Sequence, residues 1–163
     1  KDGTLVSKIF EIPKVKRTPL TPEEQVLIPG VFEKLAELRQ AGNTLAIATN
    51  QSMVAEGLIS LDEANRLVEN CAAKVGGVAA WRLSPYGPRA PKKLHGKFNP
   101  YARDDISRKP NPGMILDLMQ TLGFSASDTI MIGDSNKDRK AAEAAGVTFI
   151  RAKKFFKKKK KQK

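Results

Sequence analysis

Thr129–Ile150 reads "TIMIGDSNKDRKAAEAAGVTFI". An apolar run ends at Gly133, an acid follows at Asp134, "DRKAAEAAG" has the composition of a helix, and "VTFI" is apolar again. Strand, polar turn, helix and strand in that order predict a β-α-β unit, whose two strands lie parallel because the helix carries the chain back along the sheet. Working outward, "TLAIAT" (44–49) and "GVAAWRL" (77–83) are further short apolar runs of the kind that buried parallel strands show. Val31, Leu35 and Leu38 recur at helical spacing up to Gly42. Ser60 and Glu63 form a capping box ahead of an apolar stripe through Leu67, Val68 and Cys71, and Gly76–Gly77 ends that helix. Pro112 opens another helix, through Met114, Ile115 and Leu118, closed by Gly123.

This alternation predicts an α/β fold, a Rossmann-like three-layer sandwich with a parallel sheet covered by helices on both faces. One domain over residues 1–150 is expected, since 163 residues are enough for one sizeable core and short for two. Two segments break the pattern. Residues 7–22 hold three prolines and several basic residues and read as an irregular flap, with a short helical turn starting at Thr21. Ser84–Pro112 holds six prolines, and a loop of that length is usually functional.

The net charge is +12, but it is unevenly placed: Arg151–Lys163 carries nine Lys or Arg and no acid, so the remainder is only +3. Residues 151–163 therefore read as a basic, disordered tail, and the tail and the basic loop together could take nucleic acid. Cys71 is the single cysteine and His95 the single histidine, which excludes a disulfide framework and a Cys/His zinc cluster within one chain. A reducing, cytoplasmic setting is expected. No apolar run approaches the roughly 20 residues that span a bilayer, so no membrane partner is expected.

Four small motifs fall at the carboxyl ends of the expected strands, where open α/β sheets bind ligands. They are "KDGT" at Lys1–Thr4, "TNQS" at Thr49–Ser52, "RKP" at Arg108–Pro110 and "GDSNKD" at Gly133–Asp138. Acids, a lysine and hydroxyls brought together in this way suit a transferring phosphoryl group, which needs a hard cation, a fixed positive charge and oriented donors. Asp134, with Asp138 four residues on, suits Mg2+, and Lys109 suits the phosphoryl charge.

In this order the motifs resemble the haloacid dehalogenase superfamily of phosphohydrolases, and "TNQS", "RKPNPGM" and "MIGDSNKD" resemble its branch of heptose bisphosphate, histidinol and polynucleotide 3′-phosphatases. The resemblance covers all but the tail. It implies a Mg2+-dependent phosphomonoester hydrolase with an aspartyl-phosphate intermediate and no large cap domain, so an open site. It implies that Asp2 is the acid/base, its backbone carbonyl also reaching the metal beside Asp134 and Asp138, and that Lys109 steadies the phosphoryl group. Gly3, Thr4 and Thr49 would hold phosphate, while Asn50, Gln51, Ser52 and Arg108 would line the substrate side. The implied nucleophile is an Asp directly before Lys1, borne on a central strand, so this sequence is expected to be an N-terminally truncated and inactive piece lacking that first strand. A structural zinc usual in the branch is not expected, because the loop offers His95 alone. A small phosphorylated substrate of the D,D-heptose 1,7-bisphosphate type is expected for a monomer. The alternatives are a polynucleotide 3′-phosphatase and a non-catalytic phosphate- or nucleic-acid-binding module.

Overall fold

A computed structural model describes residues 1–7, 9–11 and 15–156. A tight turn at Lys1–Val6 leads into a hairpin of β1 (Ile9–Glu11) and β2 (Val15–Arg17), paired antiparallel. The flap is thus a two-stranded ribbon at its described positions and not irregular throughout. At Thr21 a single hydrogen-bonded turn forms, Gln25 N–H donating to Pro22 carbonyl at 3.2 Å, and it does not continue into a helix. Then follow α1 (Val31–Gln40), β3 (Ala46–Asn50), α2 (Leu61–Lys74) and β4 (Ala80–Ser84). The long loop carries a small hairpin, β5 (Lys93–Leu94) and β6 (Lys97–Phe98), before α3 (Gly113–Leu122). The chain closes through β7 (Ile130–Gly133), α4 (Asn136–Ala144), β8 (Thr148–Arg151) and a single turn, α5 (Ala152–Phe155).

Two of the helices, α2 and α4, start where side chains satisfy their first N–H groups. Ser60 accepts from the Glu63 N–H while Glu63 reaches back to the Ser60 N–H, and Ser135 and Asp138 repeat the arrangement at α4. Gly123 ends α3 at φ 74°, a left-handed conformation that costs glycine little. His95 (φ 50°) and Gly96 (φ 77°) form the tip of the β5–β6 hairpin, so the lone histidine is an exposed turn residue.

The parallel core is in two halves. β3 pairs with β4 and β7 with β8, both in parallel, and among the described residues no ladder joins β3 to β7. Two cavities, about 630 and 310 Å³, lie along the gap between these strands. The first reaches Leu35, Val75 and Phe156; the second reaches Leu118, Met119 and Phe155. Around the gap the core forms three clusters: Ile115, Ala141 and Val147 beneath β7–β8; Val6, Ile47, Val68 and Cys71 beneath β3–β4; and Val31, Leu35 and Val75 beside α1. Burial pushes the Cys71 thiol up, which leaves it an inert packing residue. Phe156 packs against the α1 cluster and Ala152 is buried, so the folded domain extends past residue 150 to Phe156. The rest of the expected tail, residues 157–163, lies outside the described residues. No described helix is long and apolar enough to cross a membrane.

Candidate active site

The mouth of the larger cavity is polar, and five separate segments build it: Lys1–Leu5, Thr49–Ser52, Arg108–Lys109, Asp134–Asp138 and Thr18. The turn at the N-terminus sets Asp2. Lys1 carbonyl accepts from the Thr4 and Leu5 N–H groups at 3.1 and 2.8 Å, and Gly3, at φ 79°, donates to Val6 carbonyl at 2.8 Å. Only a residue tolerant of the left-handed region fits there, so Gly3 shapes the turn and does not itself line the cavity. The Asp2 carboxylate, 6% exposed, accepts from Lys1 Nζ at 2.6 Å on Oδ1 and from Gln51 Nε2 at 3.0 Å on Oδ2. Thr4 Oγ1 donates to Asp134 Oδ1 at 3.2 Å, which ties the first motif to the last.

Lys109 is 6% exposed. Its Nζ donates to Ala48 carbonyl at 2.7 Å, on the unpaired edge of β3, and lies 2.7 Å from Asp138 Oδ1. An ammonium has three hydrogens, so two are committed within the protein and the third can be aimed into the cavity that Lys109 lines. The Asp138 carboxyl would be pushed up by burial, but the Lys109 ammonium and the Ser135 donors outweigh that and hold it down at about 2. Its second oxygen accepts from Ser135 N–H at 3.0 Å and Ser135 Oγ at 2.7 Å. Expected as a second metal ligand, Asp138 thus has both oxygens engaged by protein donors. Gly133 makes room for it, since a Cβ there would stand 2.4 Å from Asp138 Cβ.

Two residues of "TNQS" do other work than the substrate contact expected of them: Asn50 lines the cavity but spends its amide on a backbone, and Gln51 leaves the cleft. Asn50 Nδ2 donates to Lys109 carbonyl at 2.9 Å and Asn50 Oδ1 accepts from Lys109 N–H at 3.0 Å, so its amide clamps the lysine backbone. Gln51 is 1% exposed and sits behind Asp2 and Thr49, not in the cleft. Thr49 and Ser52 line the cleft as expected. Arg108 stands at its rim, braced on Tyr86 carbonyl, and burial pushes its guanidinium below the ordinary value. Lys137, which the sequence reading passed over, also lines the cleft; burial, then Arg108 and Arg89, push its ammonium down.

Part of the positive charge at and beside the basic loop is engaged within the protein, while Arg89, Lys93 and Lys97 are exposed. Arg82 pairs with Asp117, Lys92 donates to Ala102 carbonyl, and Arg103 stacks over Tyr86 at 4.9 Å while facing Asp105 at 3.6 Å. Asn99 holds the loop from inside, donating to Ala55 carbonyl at 2.7 Å and Pro91 carbonyl at 2.8 Å. Among the described residues no cluster of three His, Cys, Asp or Glu stands ready for a metal ion. Asp134 and Asp2 nevertheless supply hard oxygen donors at one cavity, and such donors fit Mg2+ and not a soft metal.

Residues 95–152 match the family model of the haloacid dehalogenase-like hydrolases. A D-glycero-β-D-manno-heptose-1,7-bisphosphate 7-phosphatase of Rhodopseudomonas palustris is 34% identical over 140 residues, 80% of this chain and 72% of the relative. Its counterpart in Pseudomonas aeruginosa is 35% identical over 130 residues, 76% of this chain and 65% of the relative. Among solved structures, the D,D-heptose 1,7-bisphosphate phosphatase of B. bronchiseptica, complexed with magnesium and phosphate, aligns at a TM-score of 0.69 and 28% identity, over 91% of this chain and 75% of that one.

Proposed function

The chain belongs to the haloacid dehalogenase-like hydrolases, and from that premise we propose that it serves a magnesium-dependent phosphomonoesterase whose substrate is a heptose 1,7-bisphosphate. The observation that carries this reading is the convergence of Asp2, Thr4, Thr49, Lys109 and Asp134 on one cavity from four separate segments.

Each residue has a role that its surroundings support. The free Lys109 hydrogen and the Thr49 hydroxyl hold the phosphoryl oxygens and offset the charge that spreads over them in the transition state. Asp134 and the Asp2 carbonyl would hold the magnesium, which when bound supplies further neutralisation of the same oxygens. Asp138 anchors Lys109 and is not given a metal role. Asp2 delivers a proton to the departing alcohol oxygen and afterwards takes one from the attacking water. The attacking group in this proposal is a carboxylate, which forms an aspartyl-phosphate that water then cleaves. Arg108 and Lys137 at the rim suit a second anionic group. The polynucleotide alternative is not carried forward, because the relatives and the magnesium- and phosphate-bound structure that the chain resembles are heptose bisphosphate phosphatases.

The test is phosphate release by the full-length protein with Mg2+, comparing D-glycero-β-D-manno-heptose 1,7-bisphosphate, histidinol phosphate and a 3′-phosphorylated oligodeoxynucleotide. The reading expects the bisphosphate to have the highest kcat/KM by at least about tenfold. Preference for either of the others, or no release from any, would refute it.

A further inference from the structure

Gln51 carries a cost that packing alone does not explain. The side chain is 1% exposed, and among the described residues its Oε1 has no hydrogen-bond partner. A buried acceptor without a donor loses its hydration for nothing in return, and a Leu or Met of similar volume would fill the same space without that loss. What the amide does make is specific. Nε2 has two hydrogens, and both are spent: one on Asp2 Oδ2 at 3.0 Å and one on Thr49 Oγ1 at 2.9 Å. The opposite amide orientation would set Oε1 against a carboxylate oxygen, so the acceptors around the side chain fix which end faces them.

We propose that Gln51 is a positioning residue for the proton transfer by Asp2, its Nε2 locking the Asp2 carboxyl plane from behind while remaining out of the cleft. The inference rests on the phosphatase reading above. Lys1 Nζ holds Oδ1 and Gln51 holds Oδ2, so the carboxyl is gripped at both oxygens and cannot turn about its last bond. In the first chemical step the nucleophilic carboxylate oxygen bonds to phosphorus, the phosphorus–oxygen ester bond breaks with its electron pair leaving on the ester oxygen, and the proton of the Asp2 carboxyl moves to that oxygen. A carboxyl free to rotate presents that proton in the required direction only part of the time. Loss of Gln51 also frees Thr49 Oγ1, which acts on the phosphoryl oxygens of every ester alike, so the part of the loss that is specific to general acid catalysis is the excess seen on esters whose leaving oxygen must be protonated.

Leaving-group dependence separates this from general damage. p-Nitrophenolate departs without being protonated, and a sugar alkoxide does not. In full-length, magnesium-loaded protein, Gln51→Leu and Gln51→Met are expected to lower kcat on the sugar phosphate about 100-fold more than on p-nitrophenyl phosphate, the scale of one general acid, while any change that comes through Thr49 is common to both esters. In an Asp2→Asn background the same substitutions should produce no further selective loss. Equal losses on both esters in the variant that folds, or no loss on either, overturn the role of Gln51 while leaving the phosphatase reading in place. A wild-type protein that hydrolyses neither ester overturns both.

Discussion

Replacing Asp138 by Asn removes one charge with almost no change of shape, and the consequence can be worked from the structure. Lys109 Nζ and Asp138 Oδ1 are 2.7 Å apart with both side chains 7% exposed, so neither charge has water to fall back on. In the variant the ammonium keeps Ala48 carbonyl but loses its counter-charge. Breaking a buried pair on one side costs about 3–5 kcal/mol. The carboxyl itself gives a second figure: held at about 2 against an ordinary 3.8, it contributes about 2 kcal/mol of stability when ionised. The variant should therefore be about 2–5 kcal/mol less stable at pH 7. The sign of the pH dependence follows from the direction of the shift. A depressed carboxyl stabilises fully above its unfolded value near 3.8, and that stability is lost as pH falls towards about 2. Once protonated, Asp138 resembles the asparagine that replaced it, so the two stabilities should converge there. Urea denaturation of full-length wild type and variant from pH 7 to pH 2.5 reads this directly. A gap below about 1 kcal/mol at pH 7, or one that stays constant down to pH 2.5, would refute the assignment of Asp138 as the anchor of Lys109.

Asp134→Ala is expected to lower phosphate release by the full-length protein at least about 100-fold and to weaken Mg2+ binding in calorimetry; near-normal turnover would remove Asp134 from the site. Deleting residues 152–163 should destabilise the domain by about 1–3 kcal/mol through loss of the Phe156 contacts with the α1 cluster, whereas deleting 157–163 should leave both melting and small-substrate kinetics unchanged. Equal effects of the two deletions would place the domain boundary elsewhere. Extending the chain ahead of Lys1 with an apolar strand ending in Asp is expected to raise the melting temperature and give hydrolysis, and the same extension ending in Asn to raise the melting temperature alone; hydrolysis with Asn would exclude that position as the nucleophile.

Much of this could be read from the sequence because the deciding signals are local. The Ser60–Glu63 box, the Gly123 stop and the apolar runs at β3, β4, β7 and β8 each act within a few residues, and the structure has those elements within a few residues of their expected bounds. What escaped depends on partners far along the chain. Asn50 clamps a backbone 59 residues away, and nothing in "TNQS" distinguishes a clamp from a substrate contact. The direction of Gln51 escaped because the strand ends at Asn50, so the alternation of β3 no longer governs the next residue. Asp138 was read as a metal ligand because acids of a phosphate site invite that reading, yet Ser135 three residues earlier carries the same capping signature as Ser60. The basic loop was overvalued in part because composition counts charges without showing which are already paired.

The gap between β3 and β7 bears on what these residues can pair with. Each of these strands has one edge with no ladder among the described residues, and both edges border the same cavities. An open edge is a template: its N–H and C=O groups will accept any extended segment of suitable hydrophobicity, including one from a neighbouring molecule. Here two templates face each other, so a captured strand would be hydrogen-bonded on both sides at once. A peptide of strand length and apolar composition should therefore seat between them with backbone hydrogen bonds on both sides, read as slowed amide exchange at the facing edges of β3 and β7.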